Sequence, residues 1–312
     1  MTTSLENIYI IGSGAIGKAL AVFLKLADRK VTLIRGSVND GSSKMEHLQV
    51  TIPGGANKEV TIKISTLAAY QKLEGIIVLT SKSYGNGHLA KALKEKIGNS
   101  PIVLLQNGLG VEQPFLKEDF PEVYRAVLFV TSQPVNAARI IFKPVSACPI
   151  GIIKGNNSML SVIIRTLHTP DFQFKKESHI QRIIWKKAII NCVFNSVCPL
   201  LDTDNGIFHR DRKALEIAKR VIAECIAVAK EKNVFLGRGE VEESLLQISR
   251  SSDGQFISTL QDIRTKRRTE IETLNFEVVK IARSLKKEAA VKETMLLGEL
   301  TKLKAELNYE LV

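Results

Sequence analysis

The chain has 312 residues, 45% of them hydrophobic, and a formal net charge of +12. That length suits about two domains and that composition suits packed cores, which excludes a disordered chain or one small module. A basic balance favours anions in general, but the lysines and arginines are spread out apart from Lys266, Arg267 and Arg268. No zinc-finger or RNA-binding aromatic pattern accompanies them, so a specific nucleic-acid partner is unsupported. Cys148, Cys192, Cys198 and Cys225 form no C-x-x-C pair and read as packed, reduced thiols of a cytoplasmic protein. The histidines are scattered without ligand spacing, so no metal is expected. The N-terminus reads as a short polar lead into a strand rather than a secretory signal. No apolar run approaches the ~20 residues of a membrane span, so no membrane partner is expected.

Residues 5–11 read as a buried strand. It runs into Gly12-Ser13-Gly14-Ala15-Ile16-Gly17 and then an apolar helical run. This is G-x-G-x-x-G between a strand and a helix. The first glycine permits a tight turn, the second lets the backbone approach a pyrophosphate, and the third lets the helix pack on the strand. Phosphates would sit at the helix N-terminus, where free N–H groups and the helix dipole favour an anion. The next strand, residues 30–34, ends in Arg35. A carboxylate there suits the ribose 2′-hydroxyl of NAD, whereas an arginine suits a 2′-phosphate, so NADP(H) is expected over NAD(H). Asp40 follows in a Gly/Ser loop, and Ser37 and Lys44 are secondary candidates. The plain alternative for Arg35 is a solvated or adenine-stacked side chain.

Residues 36–57 read as a loop plus a short strand pair, and 60–64 as an exposed strand. Residues 75–80 and 101–105 are continuous apolar runs, as in parallel strands covered on both faces. Each leads at once into a polar cluster, Ser81-Lys82-Ser83 and Gln106-Asn107-Gly108-Leu109-Gly110. Ligands of open α/β sheets bind at this edge. Lys82 and Asn107 are therefore candidates for the nicotinamide end or a substrate, with a surface lysine and a plain Asn-Gly turn as the alternatives. Residues 127–131, 140–143 and 150–153 read as further strands, with Gln133-Pro134 as a break, and 156–168 as a helix. Beyond about residue 175 strand-like runs vanish. The expected architecture is α/β: a Rossmann-like dinucleotide-binding domain, residues 1–175, and an all-helical domain, residues 176–312.

Within the second half, residues 185–195, WKKAIINCVFN, read as a helix. Lys187, Asn191 and Asn195 fall four apart along one stripe of it. A buried amine and two amides need hydrogen-bond partners; a solvated face is the plain alternative. Pro199 and a loop with Asp202, Asp204 and Gly206 follow. Residues 213–230 form an amphipathic helix, 241–248 a short one, 263–285 a long one and 291–307 the last. The stretch FISTLQDIRTKRRTEIETLN carries Ser258, Asp262 and Glu270. Taken alone, Glu270 is a surface carboxylate paired with Lys266 at i−4, and Ser258 is an N-cap.

Five motifs occur in order: GSGAIG at Gly12, the lysine after a strand at Lys82, QNGLG at Asn107, WKKAIINCVFN at Lys187 and STLQDIRTKRRTEIETLN at Ser258. With them the chain resembles the ketopantoate reductase (2-dehydropantoate 2-reductase) family over nearly its whole length. The resemblance implies reduction of 2-dehydropantoate to pantoate by NADPH, on the route to pantothenate and coenzyme A, with the active site in a cleft between the two domains. It implies Lys187 as general acid with Glu270 as the second catalytic residue. It also implies substrate contacts from Asn191, Asn195, Ser258, Asn107 and Lys82, the last two also lying by the cofactor. A reductase of another 2-keto acid on the same scaffold is the alternative. The apolar-striped helices could pack within the chain or form a homodimer. Three departures from the family pattern stand out: Phe276 after Asn275 in place of a glycine, Glu288-Ala289-Ala290-Val291 in place of a proline turn, and Ser196-Val197-Cys198-Pro199 in place of Pro-Leu-Thr. These are expected to alter packing around the site.

Overall fold

The apolar runs of the first half become strands of one sheet, because β-branched residues buried on both faces suit a parallel sheet between two helical layers. In the computed structural model residues 5–36 and 38–310 are described, so Ser37 lies outside the described residues. The elements run β1 (Asn7–Ile11), α1 (Ala15–Leu26), β2 (Lys30–Arg35), β3 (Lys44–Thr51), β4 (Asn57–Thr66), β5 (Ile76–Leu79), α2 (Asn86–Lys94), β6 (Ile102–Leu104), α3 (Gln113–Lys117), β7 (Val123–Ala126), β8 (Val130–Pro134), β9 (Arg139–Pro144), β10 (Cys148–Lys154), α4 (Asn157–Leu167) and β11 (Phe174–Lys176). The strand order is β11-β10-β7-β6-β5-β1-β2-β4-β3-β9-β8. The central strands, β4 to β7 in that order, run parallel.

Alternate residues of β5 show the two-sided burial. Ile76 and Val78 join α1 and α4 on one face; Ile77 and Leu79 join α2 and α3 on the other. Parallel strands put their carboxyl ends on one edge, so the turns after β1, β2, β5 and β6 gather there.

The loop and strand pair read over residues 36–57 are present, the pair being longer than expected: β3 pairs with β4 antiparallel from Lys44↔Ile64 to Thr51↔Asn57. Two expectations change in this unit. Gln133 and Pro134 do not break a strand but end β8, which is the sheet's outermost strand, where a missing N–H costs no ladder bond. Residues 127–129 lie between β7 and β8 rather than in a strand.

The second half continues as α5 (Ile180–Leu200), α6 (Ile207–Arg210), α7 (Arg212–Glu231), α8 (Arg238–Ser251), α9 (Ser258–Arg264), α10 (Asn275–Ser284) and α11 (Lys292–Glu310). The chain divides into two compact units, Met1–Gln106 with Val111–Ile180, and Asn107–Gly110 with Gln181–Val312. The second unit thus claims the short turn after β6. β11 still pairs with β10 past residue 175, which carries the first unit on to Ile180.

α5 is longer than the sequence pattern suggests: Pro199 lies inside its last turn, where the helix goes without the one i−4 bond that a proline nitrogen cannot donate. By length and composition alone α5 could cross a membrane, contrary to the sequence reading, but 72% of its apolar window is buried inside the protein, as in a core helix.

The long helix expected over 263–285 is two helices. α9 stops where Lys266 takes φ +52°. The Lys266 and Arg267 amides then bond back to the Ile263 and Asp262 carbonyls, the paired bonds of a left-handed helix stop. α10 and α11 are joined without a proline, through Lys286 at φ +58° and a short 3-10 turn, Glu288–Ala290.

Candidate functional site

The glycine turn follows from close approach. Gly12 has φ +125°, and a Cβ there would meet Ser81 N and lie 2.7 Å from Thr80 Oγ1. A Cβ on Gly17 would collide with the Gly12 carbonyl and lie 2.6 Å from the same hydroxyl. Thr80 Oγ1 donates to the Gly12 carbonyl at 2.8 Å and so closes the turn. Gly14 is different: nothing lies within 4 Å of its Cβ position, and no side chain caps α1. Ser13, Ala15 and Ile16 complete a turn whose open side faces the uncapped N–H groups of a 12-residue helix. Those groups suit a pyrophosphate.

Arg35 ends β2 beside this turn, its side chain 22% exposed. It donates to Ser42 Oγ and approaches Asp40 Oδ1 at 3.4 Å. Bonds from the Ser42 hydroxyl and amide, with the Arg35 charge behind them, hold the Asp40 carboxyl below its ordinary range. Lys44 pairs instead with Glu46.

Lys82 follows β5 and caps a short 3-10 turn, Ser83–Gly85. Buried amides fix the chain around it. Asn86 and Gln106 exchange reciprocal 2.8 Å bonds. Gln106 Nε2 also donates to the Ser81 carbonyl at 2.8 Å, and Asn86 Nδ2 to the Val111 carbonyl at 2.8 Å. Arg125, 2% exposed, donates to Glu112 at 2.5 Å and to the Gln106 carbonyl at 3.2 Å. Burial pulls the Arg125 guanidinium below its ordinary pKa, and the Glu112 carboxylate opposes that shift. The network clamps the residue before Lys82 and both ends of the 107–110 turn.

Asn107 begins that turn, where Gly108 has φ +95° and Gly110 φ +66°. The Leu109 amide donates to the Thr273 carbonyl at 2.8 Å, and Thr273 bonds back to the Glu270 carbonyl. Asn107 is thereby connected to the Glu270 segment within one unit. Glu270 itself lies in an irregular stretch before the 3-10 turn Ile271–Thr273, so its spacing from Lys266 is not a helical turn.

Along α5, Lys187 and Asn191 are half-buried and Asn195 is 3% exposed. The stripe is therefore not a solvated face. Lys186, its neighbour, points elsewhere and pairs with Glu240 at 3.0 Å. Asn195 Oδ1 accepts from Ser258 Oγ at 3.2 Å, Thr259 Oγ1 at 2.8 Å and the Thr259 amide at 3.3 Å. Its Nδ2 donates to the Asn191 carbonyl at 3.0 Å. Ser258 is the first residue of α9, with Ile257 at the cap position, and its hydroxyl reaches Asn195. Phe276 is accommodated by Gly298 on α11, whose Cβ position lies 3.0 Å from Asn275 Cβ and 3.7 Å from the ring.

Two family models fit the chain, ketopantoate reductase PanE/ApbA over residues 8–153 and its C-terminal domain over 179–302. The chain belongs to the ketopantoate reductase family. A 2-dehydropantoate 2-reductase of Pyrococcus horikoshii is 26% identical over 306 residues, covering 96% of this chain and 98% of that protein. A probable 2-dehydropantoate 2-reductase of Schizosaccharomyces pombe is 26% identical, covering 97% of each. Among solved structures, a PanE/ApbA family ketopantoate reductase of Ralstonia eutropha has a TM-score of 0.81 at 21% identity, covering 97% of this chain and 99% of that one. D-mandelate dehydrogenase, solved with NADH and anilino(oxo)acetate, has a TM-score of 0.84 at 19% identity with the same coverage. At those identities the structures establish the fold. Ketopantoate reductases are NAD(P)H-dependent oxidoreductases, and this chain is an oxidoreductase of that family.

Sequence reasoning named the glycine turn, Arg35, Lys82, Asn107 and the α5 stripe, but not what holds them. Thr80, Asn86, Arg125, Thr259 and Thr273 were missed, and Gln106 was named only as part of its polar cluster. Thr80 and Gln106 carry a usable signal, since each is a polar residue at the tip of an apolar strand. Arg125 carries none, because nothing local marks an arginine in a strand as buried.

Proposed function

We propose that this ketopantoate reductase family member reduces the ketone of 2-dehydropantoate to pantoate with NADPH. The observation that carries the reading is the polar stripe of α5, Lys187 and Asn191 half-buried and Asn195 fixed to Ser258 at 3.2 Å. The 26%-identical relatives named for that activity support it. The glycine turn would hold the pyrophosphate, Arg35 the 2′-phosphate, and Lys82 and Asn107 would lie toward the nicotinamide and substrate. The bound cofactor supplies the hydride. As hydride reaches the carbonyl carbon, negative charge grows on its oxygen, and a donor aimed there stabilises it. Lys187 donates that hydrogen bond and then its proton, while Glu270 serves as the second catalytic group. Asn191 offers an uncharged amide for the substrate hydroxyl or carboxylate. Asn195, with its oxygen accepting three bonds, acts chiefly by presenting Ser258. Such a reaction would serve cytoplasmic synthesis of pantothenate and coenzyme A.

The test is NADPH oxidation with 2-dehydropantoate beside a panel of other 2-keto acids, on native protein and Lys187→Ala. Native turnover should be confined to 2-dehydropantoate. The variant should lose about 10²–10⁴-fold in kcat while binding NADPH normally. Full activity in the variant removes Lys187 as general acid. Turnover on another keto acid alone moves the substrate and leaves the chemistry.

One observation favours a second cofactor reading: Arg35 already engages Ser42 and approaches Asp40 at 3.4 Å. Asp40 could accept a ribose 2′-hydroxyl, as NADH requires, whereas a 2′-phosphate must displace it from Arg35. Arg35→Ala should lower the NADPH:NADH ratio of kcat/KM by about tenfold, and Asp40→Asn should raise it. An unchanged ratio in both variants places cofactor selection elsewhere.

A further inference from the structure

Asp262 is a buried carboxylate to which the proposed reaction gives no role. It lies on α9 four residues after Ser258 and three after Thr259, so helical spacing puts it on the stripe whose hydroxyls donate to Asn195. Its side chain is 7% exposed and accepts from Arg267 Nε at 3.1 Å, while the Arg267 side chain is 56% exposed. The same arginine donates its amide N–H to the Asp262 carbonyl at 2.7 Å. One aspartate thus grips one arginine by backbone and by side chain, across the point where α9 stops. A carboxylate this deep costs free energy unless it is paired, and an asparagine would close the turn without that cost. What the charge adds is a firmer hold on the guanidinium, since ionised hydrogen bonds are roughly twice as strong as neutral ones.

The next stretch of chain is what this clasp controls. Residues 267–269 belong to no helix or strand, so the place of Glu270 depends on turn and side-chain contacts rather than on a backbone ladder. Two such contacts bracket it. Downstream, the Thr273 amide and hydroxyl donate to the Glu270 carbonyl at 3.1 and 3.2 Å. Upstream, Arg267 is held by Asp262 and precedes Glu270 by three residues. We propose that Asp262 and Arg267 are positioning residues for Glu270, tying the irregular segment that carries it to the helix that begins with Ser258. The proposal rests on the reading of Glu270 as the second catalytic group. A group that acts on reacting atoms must be held closely, because a displacement of about 1 Å can cost on the order of 10²-fold in rate.

The test is a double-variant cycle on kcat, run with the 2-keto acid that the native protein reduces. Arg267→Met keeps the length of an exposed side chain and removes its charge. It should lower kcat about tenfold while KM for the keto acid and for NADPH stays within about twofold, and Arg267→Lys should recover most of the loss. Glu270→Gln should itself be impaired. Adding Arg267→Met to it should cost less than about twofold more, because a residue that acts through Glu270 then has nothing left to position. A merely structural clasp would cost the same factor in both backgrounds, and that result would overturn the proposal. Arg264→Met, in the same helix but paired with Asp202 at 3.0 Å, should leave kcat unchanged. Amide exchange reads the clasp without turnover: Arg267→Met should speed exchange over residues 266–270, and unchanged exchange there would overturn the clasp even in an inactive protein. Unimpaired turnover in Glu270→Gln would remove the catalytic reading of Glu270 and the positioning with it. An impaired Glu270→Gln beside a fully active Arg267→Met would overturn the positioning alone.

Discussion

At Asn195 the carboxamide oxygen accepts from two hydroxyls and one amide N–H, all at the start of α9. Removing it strands those donors in a site that is 3% exposed, and a buried donor without a partner costs about 1–3 kcal/mol. Asn195→Ala should therefore lower stability by about 2 kcal/mol in urea titration; no change would mean that water or Ser258 alone replaces the acceptor. Gly108 makes a separate demand. Its φ is +95°, and a Cβ would lie 2.6 Å from the Thr273 carbonyl oxygen. Gly108→Ala should cost about 2 kcal/mol or more, from strain plus the contact. An unaltered denaturation midpoint would show that the turn has room to shift.

Among the elements, the loop between α5 and α6 is held by one carboxylate. Asp204 accepts from Arg210 Nη2 at 2.9 and 2.8 Å, from the Gly206 amide at 2.7 Å and from the Gly254 amide at 3.2 Å. Led by the Arg210 bond, these hold its pKa down to about 2. The folded value lies below the ordinary one near 4, so the contribution is present above about pH 4–5 and is lost as pH falls toward 2. Asp204→Asn should cost about 1–2 kcal/mol at neutral pH, with the gap to native closing near pH 2. A gap constant with pH would assign the loss to geometry rather than charge. The amide pair joining the β5 and β6 turns gives a second element-scale test. Asn86→Leu and Gln106→Leu should each cost about 1–3 kcal/mol, because each leaves its partner amide buried and unmatched. The double variant should cost less than the sum; strict additivity would show that the two amides act independently.

For the whole molecule, a dinucleotide on the glycine turn should slow amide exchange in residues 11–17 and 34–36 when NADPH is added, and raise the unfolding temperature with its concentration. Exchange unchanged there would reduce the turn to a structural one. The net charge of +12 belongs to this scale too. It predicts weak DNA binding that falls steeply with salt and shows no sequence preference, which a salt titration separates from a specific site.

The sequence alone determined the class of fold and the order of its parts. Strands buried on both faces are written as unbroken apolar runs, and a glycine turn between strand and helix needs only local residues to be recognised. The stripe Lys187, Asn191 and Asn195 was equally legible, since helical spacing is a local property. Local rules failed where distant groups set the outcome. Pro134 ends a strand because β8 happens to be an outer one, and α5 runs on through Pro199 although a proline there forgoes one helix bond. The long helix expected over 263–285 breaks at Lys266, a residue with no turn preference, held by carbonyls of the preceding turn. Only the tertiary structure joined Gln106 to Asn86, Arg125 to Glu112 and Asn195 to Thr259. Those partners lie 13 to 64 residues apart in sequence, and a buried polar group is stable only where folding brings its complement within hydrogen-bond reach.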